Sequence, residues 1–214
     1  MLSSLSAQAA NPAPSLPDAD LTDPIIQAQQ RFEQMVSYQV RLRSQSAQGD
    51  STLMRYSYRK PGLVRMDFTE PHPGAVLIYN PDKGKVRVWP FGIGRLPVVS
   101  LLPTNSLVQD PNGHRVDQSD IGFLLRNIRH LQQAGKTDVI GEETLAGQKV
   151  LHVSVVGANA ATIGNVHRYD IWLAGSPGFP VKVISYAVDD KLLESVVMDA
   201  LVFNVQFPSD FFTP

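Results

Sequence analysis

From Val166 to Phe207 hydrophobic and polar residues exchange places with a period close to two. Tyr169, Ile171 and Leu173 alternate with Arg168, Asp170 and Trp172, and Gly-Ser-Pro-Gly at 175–178 marks a turn. Val181, Val183, Ser185 and Ala187 then alternate with Lys182, Ile184, Tyr186 and Val188 as far as a second turn at Asp189-Asp190. Leu193, Val197, Leu201, Phe203 and Val205 continue the pattern. Successive side chains of a strand point to opposite faces, and short turns join only antiparallel neighbours, so the stretch predicts an antiparallel meander.

The same period runs through the first half. Tyr38, Val40 and Leu42 alternate with Gln39, Arg41 and Arg43; Met54, Tyr56 and Tyr58 alternate with Arg55, Ser57 and Arg59; Val64, Met66 and Phe68 oppose Arg65 and Asp67. Gly49-Asp50 and Lys60-Pro61-Gly62 supply the turns, and 75–80 with 85–91 form a further hairpin around Pro81-Asp82-Lys83-Gly84. Strands return at 137–145 and 148–156, joined by Ala146-Gly147. One face of these strands reads apolar and aromatic, the other charged.

Two segments carry the helical period. Asp23-Pro24 opens the first, with Ile25, Ala28, Phe32, Met35 and Val36 on one side. The second is expected from Asp120 to about Ala134, capped by Ser119 and closed by Gly135, with Ile121, Leu124, Leu125, Ile128 and Leu131 as its stripe. Between them, 90–118 breaks the pattern, and a loop of that length is usually functional or mobile. About 10–11 antiparallel strands curl into a barrel too wide for its own side chains to fill. The fold expected is therefore α+β: an open antiparallel β-barrel with two helices lying over its concave apolar face, as permanent filling or as a lid. A lipocalin fits less well, because here the second helix interrupts the strand series.

Composition narrows the chemistry. The chain has 214 residues, a formal net charge of −1 and no cysteine. A near-neutral chain has no global field to recruit nucleic acid or an anionic membrane, and the missing thiols exclude disulfides, thiol catalysis and a lipid-modified cysteine. Residues 1–22 read as a disordered leader, its Ala7-Gln8-Ala9 like the end of an export signal, and 23–214 as one domain.

Tyr56 to Arg65 (YSYRKPGLVR) resembles the strand–basic–proline–strand hairpin of the periplasmic lipoprotein carriers of the LolA/LolB-like superfamily. Leu77 to Pro90 resembles the hairpin that follows, with Trp89-Pro90-Phe91 near its aromatic segment; Gly178-Phe179-Pro180 and the end NVQFPSDFF at 204–212 resemble its C-terminal part. The order of elements matches over about 25–212, whereas Gly113 to Asp117 departs from the pattern. The resemblance implies a non-catalytic periplasmic carrier without a cofactor, holding the acyl chains of a lipoprotein or lipid in a concave cavity and exchanging them with membrane-bound donor and acceptor proteins. An envelope-stress sensor of the same fold is the alternative reading.

Strand parity and the resemblance together nominate the cavity lining: Tyr38, Val40, Met54, Tyr56, Tyr58, Lys60, Val64, Met66 and Phe68 from the strands, Leu124, Leu125 and Ile128 from the second helix, with 92–118 as hinge. In the family an arginine precedes the hairpin proline, faces the cavity and bonds the lid; Lys60 stands there and offers a point charge with three donors in place of a planar fork. The five histidines show no metal-binding spacing. His114, Asp117 and Asp120, three residues apart, leave a hydrolase as a third reading. Gly92-Ile93-Gly94 lacks a dinucleotide loop's third glycine, and no Gly-x-Ser-x-Gly elbow occurs. Arg55, Arg59, Arg65 and Arg87 are expected on the outer face, as a solvated surface.

Overall fold

A computed structural model describes residues 23–109, 113–175 and 178–214. The leader expected at 1–22 lies outside the described residues. Helix α1 (Pro24–Gln34) starts as its sequence dictates: Asp23 is extended and its carboxylate accepts from the N–H groups of Ile25 and Ile26, while Pro24 occupies a position that needs no donor. It stops two residues earlier than the apolar spacing suggests. Met35 is already extended, and the Val36 N–H is taken by the Asn204 side chain, which leaves Val36 61% exposed instead of on the buried stripe.

Eleven strands follow: β1 (Ser37–Ser46), β2 (Ser51–Arg59), β3 (Leu63–Glu70), β4 (Val76–Asn80), β5 (Lys85–Trp89), β6 (Val99–Leu101), β7 (Lys136–Leu145), β8 (Gln148–Val156), β9 (Arg168–Ala174), β10 (Phe179–Tyr186) and β11 (Leu192–Phe203). They form one antiparallel sheet ordered β6-β5-β4-β3-β2-β1-β11-β10-β9-β8-β7. Two meanders, one from each half of the chain, meet where β1 pairs with β11, and the sheet stays open, with β6 and β7 as its edges. The connection from β6 to β7 therefore has to pass from one edge to the other across a face. Helix α2 (Ile121–Gln132) lies in that crossing, which explains why a helix sits over the concave side.

Three details of this connection differ from the sequence expectation. The short strand β6 and two 3₁₀ turns, Ser106–Val108 and Val116–Gln118, interrupt the stretch taken as one loop. Asp120, not Ser119, caps α2, accepting from the Phe123 N–H at 3.0 Å. Ser119 instead donates to the Val116 carbonyl and meets the Tyr56 hydroxyl.

The two helices run antiparallel as one unit. Asp23, at the start of α1, accepts from the Gln132 amide at the end of α2 at 2.6 Å, and Arg129 lies 3.8 Å away. At the other end Gly122 lets the helices touch: a Cβ there would meet the Phe32 ring at 2.4 Å. Beneath them, Tyr38, Val40, Tyr56, Tyr58, Val64 and Met66 join Val153, Val155, Tyr169, Ile171 and Phe179 in a single apolar layer.

The convex side is not uniformly wet. Val76, Ile78 and Trp89 are covered there by Phe207, Phe211 and Phe212 of the C-terminal segment, and Val150, Trp172, Ala174 and Val181 form a second cluster. The outer arginines do more than face solvent. Arg65 donates to the Phe211 carbonyl and stacks over its ring, Arg59 lies 4.9 Å from the Phe212 centroid, and Arg87 packs on Trp89 and donates to the Pro214 carbonyl. They fasten the C-terminal strap, with Asp67 holding the Arg65 guanidinium at 2.8 Å.

Candidate functional site

The structure brings the nominated residues into one layer between sheet and helices. Tyr38, Val40, Tyr56, Tyr58, Val64, Met66, Leu125 and Ile128 are buried in it, and Met54, Phe68 and Leu124 pack against it half-buried. Lys60 stands at its rim. Its Nζ donates to the Glu33 carbonyl in the last turn of α1 at 2.5 Å and lies 5.6 Å from the Phe32 centroid, so its stem crosses apolar surface while its charge meets a helix C-terminus.

The floor is aromatic. The Tyr38 ring stacks on Tyr58 at 5.1 Å and on Tyr56 at 5.9 Å, and receives Phe179 edge-on at 5.3 Å; Phe32 of α1 lies 5.7 Å from Tyr58. Phe179, Tyr169 and Ile171 belong to the lining as fully as the first-half residues. The parity of Tyr169 and Ile171 with Leu173 was enough to find them; Phe179, beside the Gly-Pro turn, has no such alternation to mark it.

Two hydroxyls tie this floor to α2. The Tyr56 hydroxyl is 3.0 Å from that of Ser119, and Tyr38 accepts from the Ile121 N–H at 3.3 Å. Burial raises the Tyr38 and Tyr56 phenols well above their ordinary range, and raises Tyr58 and Tyr169 to about 12. A phenol whose folded pKa is raised stabilises the fold fully below its unfolded pKa of about 10 and loses that contribution as pH climbs through the folded value. An absorbance titration at alkaline pH is therefore expected to show these tyrosines ionising late and steeply, together with unfolding. Ionisation of Tyr38, Tyr56, Tyr58 and Tyr169 in one non-cooperative step near pH 10 would contradict their burial.

The layer is filled by protein. Seven side chains of the helices reach into it: Ile25, Ala28, Phe32, Ile121, Leu125, Ile128 and Leu131. Cavities lie beside them among the described residues. One of about 290 Å³ opens at the rim between Phe32, Tyr58, Lys60, Gly122 and Arg126; another, about 250 Å³, lies beyond α1 against Arg31, Lys149, Leu151 and Leu173. Both fall at or below the lower end of drug-sized pockets, about 300–1,000 Å³. A multi-chain lipid enters this layer only if the helices move.

Each hydrolytic candidate has a partner of its own. His114 lies 3.8 Å from Glu194, Asp117 holds Arg115 at 2.6 Å, and Asp120 is occupied as the α2 cap. Among the described residues no group of three or more histidine or acidic side chains is placed to hold a metal ion.

No family model matches the sequence, and no curated protein aligns with it. Solved structures do. MucB in its complex with MucA from Pseudomonas aeruginosa superimposes with a TM-score of 0.56 at 15% identity over 92% of this chain, which spans 61% of the MucB chain. The Mycobacterium tuberculosis lipoprotein LppX superimposes with a TM-score of 0.53 at 11% identity, over 91% of this chain and the whole of LppX. A LolA superfamily protein from Nitrosomonas europaea aligns over 89% of this chain at 12% identity, but its TM-score of 0.36 is too low to add to the argument. At these identities the comparisons establish the fold, an open antiparallel sheet covered by helices.

Proposed function

We propose that the protein is a non-catalytic carrier of the periplasm that takes the acyl chains of a lipid or lipoprotein between its sheet and its helix pair. The observation that supports this most is the continuous apolar layer, which the helices enter as one unit and to which they are tied by hydroxyls at one end and Lys60 at the rim. Among the described residues no helix is long and apolar enough to cross a membrane. LppX, of the same fold, is a lipoprotein by name.

Magnitudes choose the ligand class. Six large helix side chains lie in the layer, and withdrawing them costs roughly 9–18 kcal/mol at about 1.5–3 each. One chain of about sixteen carbons returns about 12 kcal/mol at about 0.8 per methylene. A single chain only breaks even; two or three decide the exchange. Ligands with several acyl chains are expected to bind tightly and free fatty acids weakly. Organic extraction of the natively purified protein followed by mass spectrometry tests this: stoichiometric multi-acyl lipid supports the carrier. Extracts without lipid, together with no saturable displacement of an apolar dye, overturn it.

Lys60 is the expected control point of the rim. Lys60→Leu removes the cation from the α1 C-terminus and is expected to speed ligand release several-fold, whereas Arg59→Leu, which loosens only Phe212, leaves release unchanged. Stopped-flow dye displacement checks both; equal rates in the two variants would take Lys60 out of the site.

The second reading is a domain that binds another protein chain, as an envelope-stress sensor does. It draws on the match to MucB, which is solved both alone and in complex with MucA. A stoichiometric protein partner surviving purification, with no lipid in the extract, favours it.

A further inference from the structure

Among the described residues thirteen large apolar side chains are exposed, and seven of them fall between 91 and 107. Leu96 and Leu107 are the most open, at 83% and 81%, with Phe91 at 60%. This density is unusual, because large exposed apolar side chains are ordinarily scattered singly. They flank β6, the short strand at one edge of the sheet, so the strip borders the molecule's rim instead of lining a groove.

Charge says what the strip faces. From Lys85 to Val108 the chain carries Lys85, Arg87 and Arg95 and not one carboxylate, in a protein whose net charge is −1. Lys85 stands one residue beyond the Val86–Leu101 pair, next to the exposed Leu102, and Arg95 precedes Leu96. Protruding leucines and a phenylalanine beside cations fit an anionic bilayer surface: the apolar tips enter the boundary of the headgroups, and the cations remain among the phosphates. A protein partner of similar apolar character would not require the local excess of positive charge.

We infer that the strip around β6, residues 91–107, is a membrane-docking edge that seats the protein on an anionic lipid surface. The inference is independent of the acyl-chain layer, since none of the exposed side chains named above belongs to it.

Flotation of the full chain with vesicles tests it. Phosphatidylcholine vesicles containing about one third phosphatidylglycerol are expected to carry the protein, and pure phosphatidylcholine at least about tenfold less. Leu96→Ser with Leu107→Ser is expected to abolish flotation while apolar-dye displacement in the interior is unchanged; Val36→Ser with Val202→Ser, exposed elsewhere, is expected to leave it intact. Lys85→Ser with Arg95→Ser, or high salt, should remove only the preference for anionic vesicles. Both leucines are exposed, so the variants should fold as the parent does, and far-ultraviolet circular dichroism verifies this. Absence of flotation by the parent, or flotation unaffected by the leucine variant, overturns the inference. So does a concentration-dependent dimer abolished by the leucine substitutions without lipid, which would assign the strip to a second copy of the chain.

Discussion

Leu125→Ala is expected to lower the unfolding free energy by about 2–5 kcal/mol and, at the same time, to tighten binding of a multi-acyl lipid. Leu125 is fully buried where α2 meets the sheet, so its truncation leaves a cavity and loses its contacts. In a rigid core that is the whole effect. If the same space is what an acyl chain occupies after the helices move, the truncated helix is less costly to displace, and the ligand gains what the protein loses. Denaturant unfolding measured beside lipid affinity separates the cases. Loss of stability with unchanged or weakened binding would make α2 permanent core.

Phe212→Ala provides the contrast. Phe212 is buried under the convex face among Val76, Ile78 and Trp89, with Phe207 and Phe211 packed around it and Arg59 over its ring. Truncation is expected to cost about 3 kcal/mol, comparable to Leu125→Ala, because a large ring leaves a well-packed site. Lipid affinity should not change, since the strap lies on the other side of the sheet from the acyl layer. The comparison, at matched stability loss, is read from the same two measurements; a parallel change in binding would mean that general loosening, not vacated space, governs uptake.

The sheet was legible because strands with one buried face announce their parity. Tyr38, Tyr56 and Tyr58 fell on the concave side as their alternation required, and the Asp23-Pro24 and Asp189-Asp190 signals marked real boundaries. What escaped depends on contacts far apart in sequence. Val36 leaves the helix because Asn204, 168 residues away, binds its N–H. The strap is invisible for the same reason: Phe207 reads as a continuation of the last strand, which ends at Phe203, while Phe211 and Phe212 have no strand or helix period, and the arginines that hold them look like ordinary solvated charges. Strand β6 is three residues long and follows glycines and prolines, too short for any periodicity to register. Among the strands, the candidate layer was read from the first meander alone, yet half its floor comes from β8, β9 and β10, because β1 pairs with β11 and makes the two halves one surface.

That filled layer also shows which question the fold leaves to experiment. An apolar interior with helices seated in it is a finished core in one state and a closed carrier in another, and the two differ in whether a lipid can enter. Photo-crosslinking decides it most directly. A diacyl lipid carrying a diazirine at the end of one chain, irradiated with the protein and mapped by peptide mass spectrometry, is expected to label the concave strands around Tyr38 to Phe68 and the inner side of α2 near Leu125 and Ile128. Excess unlabelled diacyl lipid should suppress that labelling. Labelling confined to residues 91–107, or none that competitor suppresses, would contradict the account and leave the helix pair as the core of a protein that carries nothing inside.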